Sequence, residues 1–374
     1  MKKLLFIIRD FKQGGIPRAL QSILQQIDTN KYHIDLFCMH QLGPYNGNMQ
    51  NCNVIKQDKL LYHLLQFRKD YKNNPITYFY KFINQIYIKL IGKSLIDYRL
   101  TKIAKSLSGK YDAVIAYSGG ISSELAQQIK GSKRFIWIHN DYAFEPARDD
   151  QKTDFNKFDN IVCVSESAKK SFEKLYPQLT TKTIAIYNII NDNFIRESTK
   201  QLNQEPFDSN YFNIVSVGRI CWQKNFKVIP WIIASISPEI RNRIRWYIIG
   251  NGSDEAEKEL KDEIGRFNVE NQCIMTGPKS NPYSYLKNAD LFVLTSIHES
   301  FCLVIHEARS LGTPVVSVPI PVIEELLGKE VIYPLDKIAH HIESNILIHN
   351  TNKNPFSYEE HNRKVMQQLD LIFN

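Results

Sequence analysis

Thiols, long apolar runs and metal-type carboxylate pairs are scarce in this chain of 374 residues. The six cysteines, Cys38, Cys52, Cys163, Cys221, Cys273 and Cys302, are scattered and form no C-x-x-C pair. That argues against a disulfide framework or a thiolate zinc site and suits a reducing cytoplasm. No stretch approaches 18 uninterrupted apolar residues, so no membrane-spanning helix is expected. The opening MKKLLFII resembles the start of a signal peptide. Its apolar run stops at Arg9 and Asp10 with no small-residue cleavage site, so it reads as a first strand. Repeats and low-complexity tracts do not stand out. No D-x-D stands at a strand end, so a bound divalent metal is not required. There is no G-x-G-x-x-G, and no RNP, helix-turn-helix or KH pattern, so nucleic acid is not an expected partner.

What is present is an ordinary soluble composition, 43% hydrophobic and 23% charged. The length suggests two domains, because single cores rarely exceed about 250–300 residues. Apolar strand-like runs alternate with helical periodicity in both halves, which predicts an α/β protein of two doubly wound units. Strands are expected at 3–8, 33–39, 53–55, 111–120, 133–142 and 160–167 in the first half. In the second they are expected at 211–220, 243–254, 273–277, 291–296 and 314–318. Residues 1–190 form the expected first domain, 191–210 a polar linker containing Pro206, 211–357 the second domain, and 358–374 a final helix.

The net charge of +8 is unevenly spread. Residues 56–110 hold twelve basic and three acidic residues, a local +9 that exceeds the total. Aromatics such as Tyr62, Phe79, Phe82, Tyr87 and Tyr98 are interleaved, and the periodicity of 76–107 is helical. Such a segment suits an anionic membrane surface, or else presents a solvated face with its apolar side in the core.

Charged and glycine residues gather where strands end. In 295–319 a strand leads through a loop to a helix expected over 300–311. Leu303, Val304, Ala308 and Leu311 would form its inner face, with Gly312 just past its end. Glu299 and Glu307 lie eight apart, differing by roughly 80° in direction and about 12 Å in rise. The amides of Phe301, Cys302 and Leu303 would form an anion or hydroxyl cradle at the helix start. By itself such a pair of glutamates is commonly solvated. In the first half, Gly14 and Gly15 open a helix after the first strand, where backbone can approach a phosphate. Alone they are a turn, and Arg18 is a helix-surface arginine. His139 ends the strand at 133–142, at the same sheet edge. Arg219 and Lys224 follow the strand at 211–220, and Gly250 and Gly252 follow the next.

These segments resemble the retaining glycosyltransferases of the GT-B fold, in the large family 4 (glycosyl transferases group 1), of bacterial surface-polysaccharide type. The family's E-G-F-G-L-x-x-x-E-A followed by G-x-P-V-V is matched by E-S-F-C-L-V-I-H-E-A at 299–308 and G-T-P-V-V at 312–316. Ser300 and Cys302 replace its glycines. The V-G-R-x-x-x-x-K-G segment is matched at 217–225, with Asn225 for the last glycine. I-x-G-x-G is matched at 248–252, G-G-x-x-R at 14–18 and W-x-H-x-D at 137–141. Asn188 matches the family's N-x-[IV]-[DN], where the chain leaves the first domain. A Gly-Gly-x-x-E loop is absent at 318–326, where Glu324 or Glu325 would correspond.

The resemblance implies two Rossmann-like domains facing a central cleft, the final helix crossing back to the first. It implies a hexosyltransferase-type enzyme moving a sugar from a nucleotide diphosphate, a UDP-sugar ahead of a GDP-sugar, with no cofactor and no metal. Arg219 and Lys224 would neutralise the leaving diphosphate. Glu299 with Ser300, Phe301, Cys302 and Leu303 would hold the sugar, and Glu307 the ribose. Gly15, Gly218, Gly250 and Gly252 would face the donor's nucleotide and phosphates, and Pro278 and Lys279 its base. His139 would contact the sugar, and domain closure would bring it and Gly15 over the donor. Gly14, Arg18 and Asp141 would lie on the acceptor side, Asp141 alternatively orienting His139. The acceptor would be a hydroxyl of a lipid-linked glycan or oligosaccharide in capsule or lipopolysaccharide synthesis, at the inner face of the cytoplasmic membrane. A sugar-nucleotide epimerase, a phosphorylase and a non-catalytic nucleotide- or glycan-binding scaffold are the alternatives.

Overall fold

The computed structural model describes residues 1–11, 14–40, 51–66, 74–144, 152–200, 207–348 and 353–374. Part of the basic segment, residues 67–73, lies outside the described residues. The chain divides into two compact units. One is Met1–Ile189 with Val365–Asn374, and the other is Ile190–Lys364.

The first unit holds seven strands: β1 (Lys2–Ile8), β2 (Tyr32–Cys38), β3 (Asn53–Val54), β4 (Ala113–Ala116), β5 (Lys133–Ile138), β6 (Asn160–Cys163) and β7 (Thr183–Ala185). Their order is β3-β2-β1-β4-β5-β6-β7, and every pairing is parallel. A parallel strand covered on both faces needs apolar side chains at consecutive positions, which is why β1 reads LLFII and β4 reads AVIA. All of Leu4, Leu5, Phe6, Ile7, Val114 and Ile115 are fully buried. The helical stretch expected over 76–107 is two helices. Gly92, in the left-handed region at φ 72°, ends Pro75–Ile91. Ser94 and Asp97 then cap Leu95–Leu107 reciprocally.

The second unit holds β8 (Phe212–Val217), β9 (Ile244–Ile249), β10 (Cys273–Gly277), β11 (Leu291–Leu294) and β12 (Val315–Ser317), all parallel, in the order β10-β9-β8-β11-β12. Its core collects Ile214, Trp246, Ile248, Leu291 and Val293. The two polar groups buried among them are satisfied: Trp246 Nε1 donates to Ser216 Oγ at 3.1 Å, which donates to the Val293 carbonyl at 2.7 Å.

One expectation needs correction. The linker at 191–210 begins as a helix, Asp192–Thr199, because Asn191 accepts from the Phe194 amide at 3.0 Å as its N-cap and Ile195 is buried. Residues 201–206 lie outside the described residues. At 318–326, where the family's glycine-rich loop is absent, the chain enters a helix, Pro321–Leu327, with proline in its first turn. The final helix, Glu359–Phe373, is grouped with the first unit only from Val365. Its last residue is the anchor: Phe373 meets Phe135 edge-on at 5.6 Å and Tyr32 at 5.9 Å. Lys2 Nζ donates to the carbonyls of Phe373 and Asn374 at 3.0 and 2.8 Å. All six cysteines are unbridged. Among the described residues no helix is long and apolar enough to cross a membrane.

Candidate active site

In the second unit the order of strand addition reverses between β8 and β11, and open α/β sheets bind ligands beyond the carboxyl ends of the strands at such a point. The loops leaving these two strands are stitched together. Thr295 Oγ1 donates to the Lys224 carbonyl at 2.9 Å, the Ile297 amide to the Gln223 carbonyl at 2.8 Å, and Gln223 Nε2 to the His298 carbonyl at 3.1 Å. This brings Lys224 Nζ to 2.5 Å from Glu299 Oε1, which also accepts from Ser296 Oγ at 2.6 Å. The side chains are 16% and 6% exposed, so the pair is largely out of water. Burial is the largest single influence and works against the charge on Lys224, but the Glu299 carboxylate, by charge and hydrogen bond, together with smaller contributions offsets it, and the net effect raises the lysine pKa above its ordinary value. Arg219 is exposed just after β8, with no ion pair among the described residues.

The helix expected over 300–311 is Leu303–Ser310. Cys302 is its N-cap and lies in the left-handed region at φ 64°, where an L side chain is strained, so the helix cannot begin earlier. Asn225, at the end of the Arg219–Lys224 loop, is left-handed too, at φ 52°. At both positions the chain has a side chain where the resemblance puts glycine, and at both it keeps a backbone that favours glycine. Of the four residues expected on its inner face, Ala308 and Leu311 are buried, whereas Leu303 and Val304 are only half-buried, and Ile305, His306, Glu307 and Ser310 are buried beside them. Burial pushes the Cys302 thiol pKa up, with the Glu299 charge next, so the thiol stays protonated.

His306 was not singled out from sequence. Its ring stacks on Phe301 at 4.8 Å and its Nδ1 lies 2.7 Å from Tyr358 Oη. Burial, then the charges of His361 and Arg309, lowers its pKa to about 3, so it is neutral. No periodic signal marks a lone histidine on an apolar helix face. Ser296 was missed as well, although its spacing of three from Glu299 is that of a capping box.

Two glycines are required by neighbouring loop backbone. A Cβ at Gly250 would stand 1.8 Å from the Gly218 carbonyl oxygen, and one at Gly252 2.3 Å from that of Ile220. The loops are this close because Gly218 N donates to Ile249 O at 3.0 Å and Ile220 N to Asn251 O at 2.8 Å. Gly277 joins them, accepting from Gly250 N at 3.1 Å. Pro278 is exposed, and Lys279 Nζ lies 5.8 Å from the centre of the Tyr285 ring. Ser300 is half-buried and Phe301 buried.

The first unit has its own reversal, between β1 and β4. Gly14 is the N-cap of helix Gly15–Gln26, and the Arg18 amide donates to the Gly14 carbonyl at 3.3 Å. His139 follows β5, its ring 4.8 Å from that of Tyr117, which follows β4. Burial lowers the His139 pKa to about 3, against a smaller opposing effect of a backbone hydrogen bond at Tyr117. It therefore works as a neutral donor or acceptor. Asp141 Oδ1 accepts from Ser171 Oγ, on helix Glu166–Leu175, at 2.6 Å and from the Ala143 amide at 3.0 Å. A pair that sequence reasoning missed lies at the same edge, where His40 Nδ1 is 2.5 Å from Asp10 Oδ1. Among the described residues no three His, Cys, Asp or Glu side chains gather as a metal centre would need.

Residues 197–353 match the family model described as Glycosyl transferases group 1. The matched stretch lies within the second unit. The chain is also similar to an uncharacterized glycosyltransferase of Methanocaldococcus jannaschii, at 28% identity over 171 residues, 44% of this chain and 40% of that relative. A longer match, 23% identical over 322 residues, covers 84% of this chain and 80% of the N-acetylgalactosamine-N,N'-diacetylbacillosaminyl-diphospho-undecaprenol 4-alpha-N-acetylgalactosaminyltransferase of Campylobacter jejuni. Among solved structures, HepE of Anabaena in complex with UDP and glucose superposes with a TM-score of 0.67 at 16% identity, over 99% of this chain and 100% of that one. Sucrose-phosphate synthase of Thermosynechococcus elongatus superposes with a TM-score of 0.66 at 15% identity, covering 100% of this chain and 99% of that chain. These likenesses show the fold, two parallel-sheet Rossmann-like units of the GT-B type.

Proposed function

We propose that this group 1 glycosyltransferase domain serves a retaining, metal-independent transfer of a sugar from a nucleotide diphosphate to a hydroxyl of a lipid-linked glycan. The observation that carries the reading is the buried Lys224–Glu299 pair at the reversal of the second sheet. In the reaction the bond between the sugar's anomeric carbon and the diphosphate breaks, and its electron pair stays on the phosphate oxygen. The acceptor oxygen bonds to the same carbon from the same face and passes its proton to the departing diphosphate. Negative charge grows on that oxygen, and fixed cations in a site poor in water stabilise it with little reorganisation. Lys224, kept protonated by Glu299, supplies one such charge, and Arg219, exposed beside it in sequence, supplies a bidentate second. Glu299 accepts from a sugar hydroxyl, and Glu307 from the ribose.

The UDP complex of HepE supports a UDP-sugar as donor. The undecaprenol-linked substrate in the name of the Campylobacter relative supports a lipid-linked acceptor in surface-polysaccharide synthesis. We assign Gly14 and Arg18 to the acceptor and His139 to the sugar, at the inner face of the membrane, where the basic segment 56–110 would face anionic lipid.

Donor turnover measured with UDP-sugars and a panel of polyprenyl-diphosphate glycans tests the reading. Arg219→Ala or Glu299→Ala should lower kcat/KM by about 10²–10³, the usual loss for one preorganised charge-stabilising group. Unchanged turnover in either variant sinks it. A thermal-shift series with UDP and GDP should show the higher transition with UDP, since a ligand of the native state adds RT ln(1 + [L]/Kd).

A further inference from the structure

Helix Pro75–Ile91 of the first unit is built inside out. At about 100° per residue, Ile76, Phe79, Phe82, Ile86 and Leu90 fall on one stripe. They are 56%, 59%, 60%, 38% and 77% exposed. On the other side Thr77, Tyr80, Lys81 and Asn84 meet the protein, while Gln85 and Lys89 are exposed. Thr77 Oγ1 is 2.8 Å from His63 Nδ1, and the His63 ring stacks on Tyr80 at 5.2 Å. Lys81 Nζ donates to the Gln66 carbonyl at 2.7 Å, and Asn84 Oδ1 accepts from the Leu95 amide at 2.7 Å. Only Thr77 is buried in the whole helix. A surface helix ordinarily turns its apolar stripe to the core, and a contiguous exposed stripe marks an interaction surface.

The charge around the stripe selects the occupant. The helix contains no acidic residue. Lys89 flanks the stripe and Lys93 follows it, and Lys102 and Lys105 on the next helix are exposed as well. The acidic residues described in this region are already engaged, Asp58 by Arg99 and Asp97 by Lys152 at 3.2 Å. A second copy docked stripe to stripe would bring these lysines together. An anionic lipid surface pairs with them and accepts the apolar side chains beneath. Tyr78, on the flank beside Lys89, is amphipathic and suited to the headgroup layer. The helix does not qualify as a membrane span, and it is tied to the fold along its polar side.

We propose that helix Pro75–Ile91 lies in the plane of an anionic membrane with Ile76, Phe79, Phe82, Ile86 and Leu90 sunk among the acyl chains. This deepens the membrane-surface part of the function proposed above, replacing adsorption by charge with insertion. The test is flotation of the full chain with phosphatidylcholine vesicles, with and without phosphatidylglycerol. It is run at about 0.1 M and about 1 M salt, where the screening length falls from about 10 Å to about 3 Å. Binding to the anionic vesicles is expected, weakened but not abolished by high salt. Phe79→Asp and Ile86→Asp should each lower the partition at least about tenfold, and Phe79→Leu should leave it close to the parent. Phe82→Trp should be quenched by brominated acyl chains, and the variants should melt like the parent because these side chains are exposed. Three results overturn the proposal. One is no vesicle binding. Another is binding lost at high salt and indifferent to Phe79→Asp, which leaves charge adsorption alone. The third is a dimer broken by Phe79→Asp with no vesicle binding, which gives the stripe to a second copy. No donor or acceptor is present, so the result is independent of the transfer reaction.

Discussion

At the carboxyl edge of the first sheet, His139 is kept neutral by burial, its ring against Tyr117. At the corresponding edge of the second sheet, the Lys224 ammonium meets the Glu299 carboxylate at 2.5 Å, and four loop segments interlock through backbone bonds and absent side chains. Both sheets are parallel and both reverse their strand order beside the first strand of the unit. Topology thus supplies the same location twice, and the loop side chains decide the chemistry there. A neutral histidine suits hydrogen bonding to hydroxyls, and a buried ion pair suits a ligand that gains negative charge as it reacts.

The strongest way to break this comparison is to remove the buried cation. Lys224→Met leaves the Glu299 carboxylate buried without its partner, which costs about 3–5 kcal/mol in such pairs. Hydrogen exchange should show protection falling in β8 and β11 while β4 and β5 keep theirs. Equal loss in both units, or none, would show that the pair does not hold the second edge together.

The next effect is a pH dependence of opposite sign. The folded pKa of His139 lies near 3, below its unfolded value of about 6.5, so below pH 6.5 the unfolded chain binds a proton that the folded chain refuses. Stability from this residue is therefore lost as pH falls from about 6.5 toward 3, by up to about 1.4 kcal/mol per pH unit. His306 gives the second unit the same acid sensitivity. Lys224 is reversed. Its raised pKa gives stability that is complete below the ordinary 10.5 and lost as pH climbs above it. Exchange profiles should show β4 and β5 loosening only in acid, and β8 and β11 at both extremes. His139→Gln should flatten the acid limb of the first unit, and an unchanged limb would exclude this histidine as its source.

The smallest effect compares the two left-handed positions. Cys302→Gly should stabilise the second unit by up to about 1 kcal/mol, because a left-handed L residue costs roughly 1–2 kcal/mol and the lost thiol burial offsets part of the gain. Asn225→Gly should change less, since asparagine tolerates this conformation. Urea midpoints read both, and an Asn225 effect larger than that at Cys302 would remove backbone strain as the reason.

Much of the fold was legible because it depends on local order. Consecutive apolar residues such as LLFII and LFVL announce covered parallel strands, and their alternation with helical periodicity announces doubly wound units. The positions of Arg219, Lys224 and Glu299 could be read as strand-end residues for the same reason, and Glu307 as a residue of the helix that follows. The helix at 192–199 was lost because a short polar stretch with Asn191 as cap looks like a linker when its buried Ile195 is not seen against a partner. The early start assigned to the Glu307 helix failed at Cys302, whose left-handed backbone leaves no mark in residue type. His306 and the Asp10–His40 pair were invisible because contact with Tyr358, or between two strand ends, has no local signature.

By itself the order of residues determined two parallel α/β units, a basic aromatic stretch in the first and charged groups at strand ends in the second. Periodicity and capping act over a few residues and are written in the chain. Tertiary structure alone decided that Lys224 and Glu299, 75 residues apart, are partners, because only the strand order sets β8 beside β11. It also decided that the loop at Gly250 rests on Gly218, and that helix Pro75–Ile91 turns its apolar stripe outward. An amphipathic pattern states that a helix has two faces, and which one meets the core depends on what the neighbouring elements offer, here His63, Gln66 and the Leu95 amide.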